Sequence, residues 1–141
     1  MRHIRFRIDL GPQCSIGPGK IELLEAIAES GSLRTAARRR GMSYRHAWLL
    51  LDSLNRSFTE PATSASVGGR GGGGVTLTSF GKELVQRYHA LDRKISRLLN
   101  AEFAPVAARV ADAESASGAG RAPRRKRLAR LSRGRRPASA A

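Results

Sequence analysis

Six of the seven residues from Gly68 to Gly74 are glycine, Arg70 being the exception, and such a run is where a chain can cradle a phosphate. Gly69-Arg-Gly-Gly-Gly-Gly74 even matches G-x-G-x-x-G formally. A dinucleotide loop, however, follows a strand and opens a helix; here the β-prone Val75-Thr-Leu-Thr78 comes next. A P-loop needs G-K-[ST] leading into a helix, and Gly74 is followed by Val75. The run therefore reads as the tip of a hairpin, free to adopt positive φ and to approach a partner closely. Other reactive side chains do not assemble either. His3, His46 and His89 fall on different segments without a cysteine or carboxylate at metal-ligand spacing, and Cys14 has no base beside it. No catalytic residue, metal ligand or cofactor is expected, and the chain reads as a non-enzyme.

The stretch Ser43-Tyr-Arg-His-Ala-Trp48 carries a different chemistry. Arginine can pair bidentately with guanine in the major groove of DNA, and the first turn of a recognition helix is what reaches base edges there. Arg45 is the leading candidate reader, with Ser43, Tyr44 and Trp48 around it; for Tyr44 and Trp48, packing into the core stays open as an alternative. Arg38-Arg39-Arg40 suits either a phosphate or the negative end of its own helix. Ser32 and Thr35 could offer donors to a phosphate, although capping alone would explain Ser32. Arg70 is the one charged side chain at the glycine tip.

These residues need elements to hold them. Ile4, Phe6, Ile8 and Leu10 alternate with polar residues, predicting a half-buried strand, and Gly11-Pro12 to Gly19 predicts a loop. From Lys20 the period becomes helical, with Ile21, Leu24, Ile27 and Ala28 on one stripe, until Gly31 stops it. Ser32 caps a short helix from Leu33 to Arg40, Gly41 turns the chain, and Ser43 caps a third helix reaching about Phe58. Two helices around a short glycine turn are the helix-turn-helix signature. A β-hairpin wing is expected over about 62–78, although its first run, Ala62 to Val67, is weak in β-formers, so whether it forms is open. A long helix over about 79–103 then carries Leu84, Tyr88, Leu91, Ile95 and Leu98 at a and d spacing. Those five are the candidate dimerisation residues.

The expected fold is thus mainly α with a small β-hairpin wing: a winged helix-turn-helix over residues 1–103 ending in a long dimerisation helix. Residues 104–141 are expected to be a disordered basic tail, poor in anything to bury. Of 26 Lys and Arg against 11 Asp and Glu, nine basic residues and no acidic one lie in 121–141. That balance favours a polyanionic partner, nucleic acid before membrane. One cysteine and no apolar run near the roughly 20 residues of a membrane span place the chain in the cytoplasm.

Three pieces together resemble the N-terminal DNA-binding domain of the molybdate-responsive ModE regulators of bacteria: KIELLEAIAESG, GSLRTAARRRGMSYRHAWLLLDSLN (31–55) and VGGRGGGGVTLTSFGKELVQRYHAL (67–91). The SY-x-x-AW and GG-[KR]-GGGG motifs are the specific part; LysR-type regulators look similar in the helix-turn-helix but lack this wing. The resemblance covers about residues 4–100. It implies a dimeric winged-helix transcription regulator, paired through its long and first helices, with Ser43, Tyr44, Arg45 and Trp48 on the recognition helix and Arg70 on the wing. The chain departs from the pattern at Ala62-Thr-Ser-Ala65, where relatives carry a strand such as L-V-E-R. No molybdate-binding domain is expected in the remaining residues, so direct molybdate binding is not expected and any effector is open.

The reading is a sequence-specific double-stranded DNA-binding regulator, stand-alone and ModE-like, homodimeric, with molybdenum-related genes as the suggested targets. The alternatives are a non-specific nucleic-acid packaging protein and a winged-helix protein-interaction module.

Overall fold

The computed structural model describes residues 3–66 and 74–111. The N-terminal segment folds into two strands rather than one. β1 (Ile8–Gly11) and β2 (Cys14–Ile16) pair antiparallel with Ile8 opposite Ile16, and a bulge falls between Asp9 and Gly11. The expected strand over residues 4–10 is therefore shorter, and part of the expected loop is its partner. Pro12 and Gln13 fold the chain back, and three residues are too few to show a period of two. Ile16, 2% exposed, joins Ile21 and Tyr88 in a small second core.

Helix α1 (Pro18–Ser30) starts on a proline, whose fixed φ suits the first helical turn, and ends at Gly31 in the left-handed region (φ 67°). It buries Ile21, Leu23, Leu24, Ala26 and Ile27. Ala28, expected inside, is exposed, while Leu23 and Ala26 point inward. The buried face is wider than one stripe because four other elements meet α1: α2 (Leu33–Arg39), α3 (Tyr44–Arg56), the strand Gly74–Leu77 and the helix Ser79–Ala107. The two short helices are capped as their sequence demands. Thr35 N–H donates to Ser32 Oγ at 3.2 Å, and His46 N–H donates to Ser43 Oγ at 3.1 Å. Gly41 takes the positive φ (65°) that the turn between them requires. Ala36, Ala37 and Ala47 are fully or nearly fully buried, and their small side chains let α1, α2 and α3 approach closely.

The wing forms on both sides. β3 (Thr63–Ser66) pairs antiparallel with β4 (Gly74–Leu77) in the register Thr63 to Leu77, Ser66 to Gly74. Weak β-propensity in TSAS is overridden because Thr63 is buried and four partners face it in register. Helix α4 (Ser79–Ala107) follows, capped by Thr78, whose Oγ1 accepts the Gly81 N–H at 3.1 Å. It passes through Pro105 to Ala107 instead of stopping near residue 103. The proline forfeits one backbone bond in the last turn, where the flanking Ala104 and Ala107 favour helix. Residues up to Ala107 belong to one compact unit; of the expected basic tail, only the stretch to residue 111 is described.

In its first turns α4 is part of the core. Phe80 meets Phe58 edge to face at 5.0 Å, and Tyr88 stacks on Phe6 at 4.6 Å while its hydroxyl donates to the Phe6 carbonyl at 2.9 Å. Burial, then the carboxylates of Asp92 and Glu22, push the Tyr88 phenol above its ordinary pKa. Gly81 permits the closest approach: a Cβ there would stand 2.0 Å from the Ala62 carbonyl oxygen. In an open helix Gly→Ala stabilises by up to about 1 kcal/mol. Here the sign reverses, and Gly81→Ala should destabilise by about 1–3 kcal/mol in urea unfolding. A more stable variant would mean that α4 does not rest on Ala62.

Candidate nucleic-acid interface

The sequence-predicted reader residues lie at the N-terminal end of α3 and point outward. Tyr44, Trp48 and Leu49 are 46%, 47% and 48% exposed, whereas Ala47 is completely buried. Packing into the core, left open for Tyr44 and Trp48, is thereby settled against: Leu51 and Leu54 take the inner face with Ala47. Arg45 is exposed and makes no ion pair among the described residues. The Arg34 guanidinium lies over the Tyr44 ring at 4.8 Å, tying the N-terminal turn of α2 to that of α3. Tyr44 and Trp48 help to line a cleft of 520 Å³ whose polar lining includes Ser32, Arg34, Asn55 and Thr63.

The arginines at the end of α2 divide by role. Arg40 pairs with Glu22, and Arg39 lies 3.6 Å from Glu29, so both bind α2 to α1. Arg38 has no such partner among the described residues and is exposed. From Ser30 to Leu51 there are five arginines and no acidic residue. The first carboxylate on α3, Asp52, is held by Arg56 at 3.0 Å. This face is therefore positive, with no charge of its own to repel a polyanion.

Ser32 and Thr35 are less free than the sequence suggested. The Ser32 oxygen accepts the Thr35 N–H, and Ser43 is similarly committed to His46. Each hydroxyl keeps its proton for another acceptor. Arg70 lies outside the described residues, between the paired ends of β3 and β4.

A residue that sequence reasoning missed holds the wing in place. Asn55 Oδ1 accepts the N–H groups of Ala62 (2.9 Å) and Thr63 (3.2 Å), and its Nδ2 donates to Thr63 Oγ1 at 3.0 Å. On the far side of the hairpin, Val75 N–H donates to the carbonyl of Gly31 at 3.0 Å. The wing is thus fixed to α3 through Asn55 and to the α1–α2 turn through Gly31. Nothing in a hydrophobic period marks a polar residue at the end of a helix as a clamp for a loop seven residues on. Leu49 was also missed; it lay on the outermost face of α3, where an apolar side chain has no core to explain it.

Among the described residues no three of His, Cys, Asp and Glu are grouped so as to hold a metal ion, and no helix is long and apolar enough to cross a membrane. His89 pairs with Glu25, linking α4 to α1 away from the α3 face.

Truncating the clamp tests it. Asn55→Ala leaves the N–H groups of two buried residues, Ala62 and Thr63, without acceptors, a loss of about 1–3 kcal/mol. Hydrogen exchange should then show the amides of Ala62 and Thr63 opening well before those of α1. Equal protection in variant and parent would remove Asn55 as the anchor.

No family model matches the chain. Its N-terminal part does have curated relatives. It is 36% identical over 85 residues to the molybdenum-pterin-binding protein MopB of Rhodobacter capsulatus, covering 60% of this chain and 32% of that one. It is 38% identical over 88 residues to the molybdenum transport protein ModE of Azotobacter vinelandii, covering 62% and 33%. It is 39% identical over 74 residues to the DNA-binding transcriptional dual regulator ModE of Escherichia coli K12, covering 52% and 28%. The chain thus spans about a third of the length of the curated relatives it matches. Among solved structures, a LysR family transcriptional regulator aligns over 65% of this chain and 30% of its own, with a TM-score of 0.48 and 18% identity, too distant to bear on function.

Proposed function

Over roughly its first 60% the chain is a homologue of the ModE, MopA and MopB proteins, and from that premise we propose that it is a sequence-specific, double-stranded DNA-binding transcription regulator. The observation that carries this reading is the first turn of α3, where the unpaired Arg45 stands among exposed Tyr44 and Trp48 on a face without acidic residues. Entering the major groove, Arg45 reads a guanine while Arg38 and the Ser32, Thr35 and Ser43 hydroxyls meet phosphates. The wing brings Arg70 to the backbone or minor groove, and the nine basic residues of 121–141 add phosphate contacts. The names of three relatives refer to molybdenum, and molybdenum-related genes in a bacterial cytoplasm are the targets we assign.

The same reading makes the protein a homodimer through the outer part of α4. Leu84 and Tyr88 are packed inside their own chain, so the seam begins at Leu91 and runs through Ile95 and Leu98. Leu98 is 63% exposed, and Phe103 and Val106 widen the apolar face beyond it. At 1.5 Å per residue α4 is about 43 Å long, enough to carry a seam beyond the core. A dimer would place two recognition helices one DNA turn apart, about 34 Å.

Two measurements test this. In selection from random duplexes a half-site containing guanine should be enriched, and Arg45→Ala should weaken it about 5- to 150-fold while leaving affinity for random duplex nearly unchanged. Equal loss on both duplexes, or no enrichment, would favour the non-specific packaging reading, to which the basic tail lends weight. Leu98→Glu should shift sedimentation from dimer to monomer without lowering the stability of the monomer fold. A dimer that survives it has its seam elsewhere.

A further inference from the structure

The proposed DNA reading assigns a role to Arg45 but none to the bare apolar side chains around it. Trp48 and Leu49 are each nearly half exposed, and neither is among the buried residues of α3, which are Ala47, Leu51 and Leu54. Tyr44 is similarly exposed, but one face of its ring is taken by Arg34. Large apolar side chains grouped on a surface mark a contact. The chemistry of that contact is restricted by the surroundings: Arg38 and Arg45 have no ion-pair partner among the described residues, no carboxylate occurs from Ser30 to Leu51, and the cleft alongside carries Ser32, Arg34, Asn55 and Thr63. An apolar protein surface offers nothing to those arginines. A DNA major groove offers phosphates to them, and the apolar group it presents is the C5-methyl of thymine.

We infer that Trp48 and Leu49 are specificity-determining residues that read pyrimidine C5-methyl groups beside the guanine taken by Arg45, an inference that rests on the DNA-binding reading above. The spacing fits. Residues 45, 48 and 49 stand at i, i+3 and i+4, one face of the helix. Four residues at 1.5 Å each advance about 6 Å, close to two base steps of about 3.4 Å. The methyls lie one or two base pairs from the guanine. The methyl of 5-methylcytosine sits at the same ring position, so the surface accepts it in place of thymine's and disfavours uracil and unmethylated cytosine at those positions.

The test needs no change in the protein at first. With the full chain and the half-site enriched from random duplexes, each thymine is replaced singly by deoxyuridine, which removes only the methyl. Affinity should fall about fourfold at one or two positions near the guanine, the effect of withdrawing one buried methyl group, and stay level elsewhere. Leu49→Ala and Trp48→Ala should each abolish the thymine–uracil difference at one position while the guanine preference persists. Uracil bound as tightly as thymine at every position, a half-site without thymine, or discrimination that survives both substitutions would overturn the inference and leave the regulator reading standing. Failure to enrich any sequence would overturn both.

Discussion

The carbonyl of Ala62 is the point on which wing, recognition helix and long helix depend together. It accepts the Thr78 N–H at 3.0 Å, the missing side chain of Gly81 lets α4 lie directly against it, and the N–H of the same residue donates to Asn55 at the end of α3. Thr78 completes the knot by donating its hydroxyl to the Pro61 carbonyl at 2.7 Å while capping α4. The backbone polar groups of a sharp loop are thereby satisfied by three elements at once, which is what allows Ala62 to be fully buried. The base of the hairpin then has one position relative to α3, and the cleft between them has a defined shape.

With that base fixed, the charge on the helix-turn-helix face divides cleanly. Arg39 and Arg40 neutralise Glu29 and Glu22 and hold α2 onto α1, so they belong to the fold. Arg34 lies on Tyr44 and orients the start of α3. Arg38 and Arg45 are left over, and they face outward on a surface with no carboxylate to engage them. A run of three arginines that looks uniform in sequence is therefore two structural residues and one available for a partner. Exposed surface pairs contribute little stability one by one, but here they add two contacts between α1 and the short α2, which buries only Leu33, Ala36 and Ala37.

Where local chemistry decides the structure, the sequence was readable. Ser32, Ser43, Gly31 and Gly41 mark helix ends because their caps and left-handed turns are satisfied by neighbours within a few residues. The start of the long helix was legible for the same reason, whereas the first strand of the wing stayed open because TSAS is weak in β-formers and forms by pairing with β4. Where distant groups decide, the sequence was silent. β2 is three residues long and exists because β1 lies beside it. Trp48 belongs equally well to a core stripe or an open face until the positions of α1 and the wing are known. Asn55 acts through a loop seven residues away, and Gly81 is a helix-weakening residue until the Ala62 carbonyl appears against it.

Helix α4 joins these two regimes. Its first three turns share the core with α1, β4 and the N-terminal hairpin, where Tyr88 is pinned by stacking on Phe6 and by a hydrogen bond to its carbonyl. Beyond those turns its apolar side chains are more open, from 37% exposed at Leu91 to 63% at Leu98. An unbroken helix passes bending from one half to the other, and Gly81 sits in the half fixed to the wing base. Whatever surface covers the outer half is consequently in rigid register with Ala62, Asn55 and the start of α3. In a dimer sealed by that face, the distance between two reading heads would be set by helix geometry and not by a flexible linker, and so would the spacing of the half-sites they can occupy together.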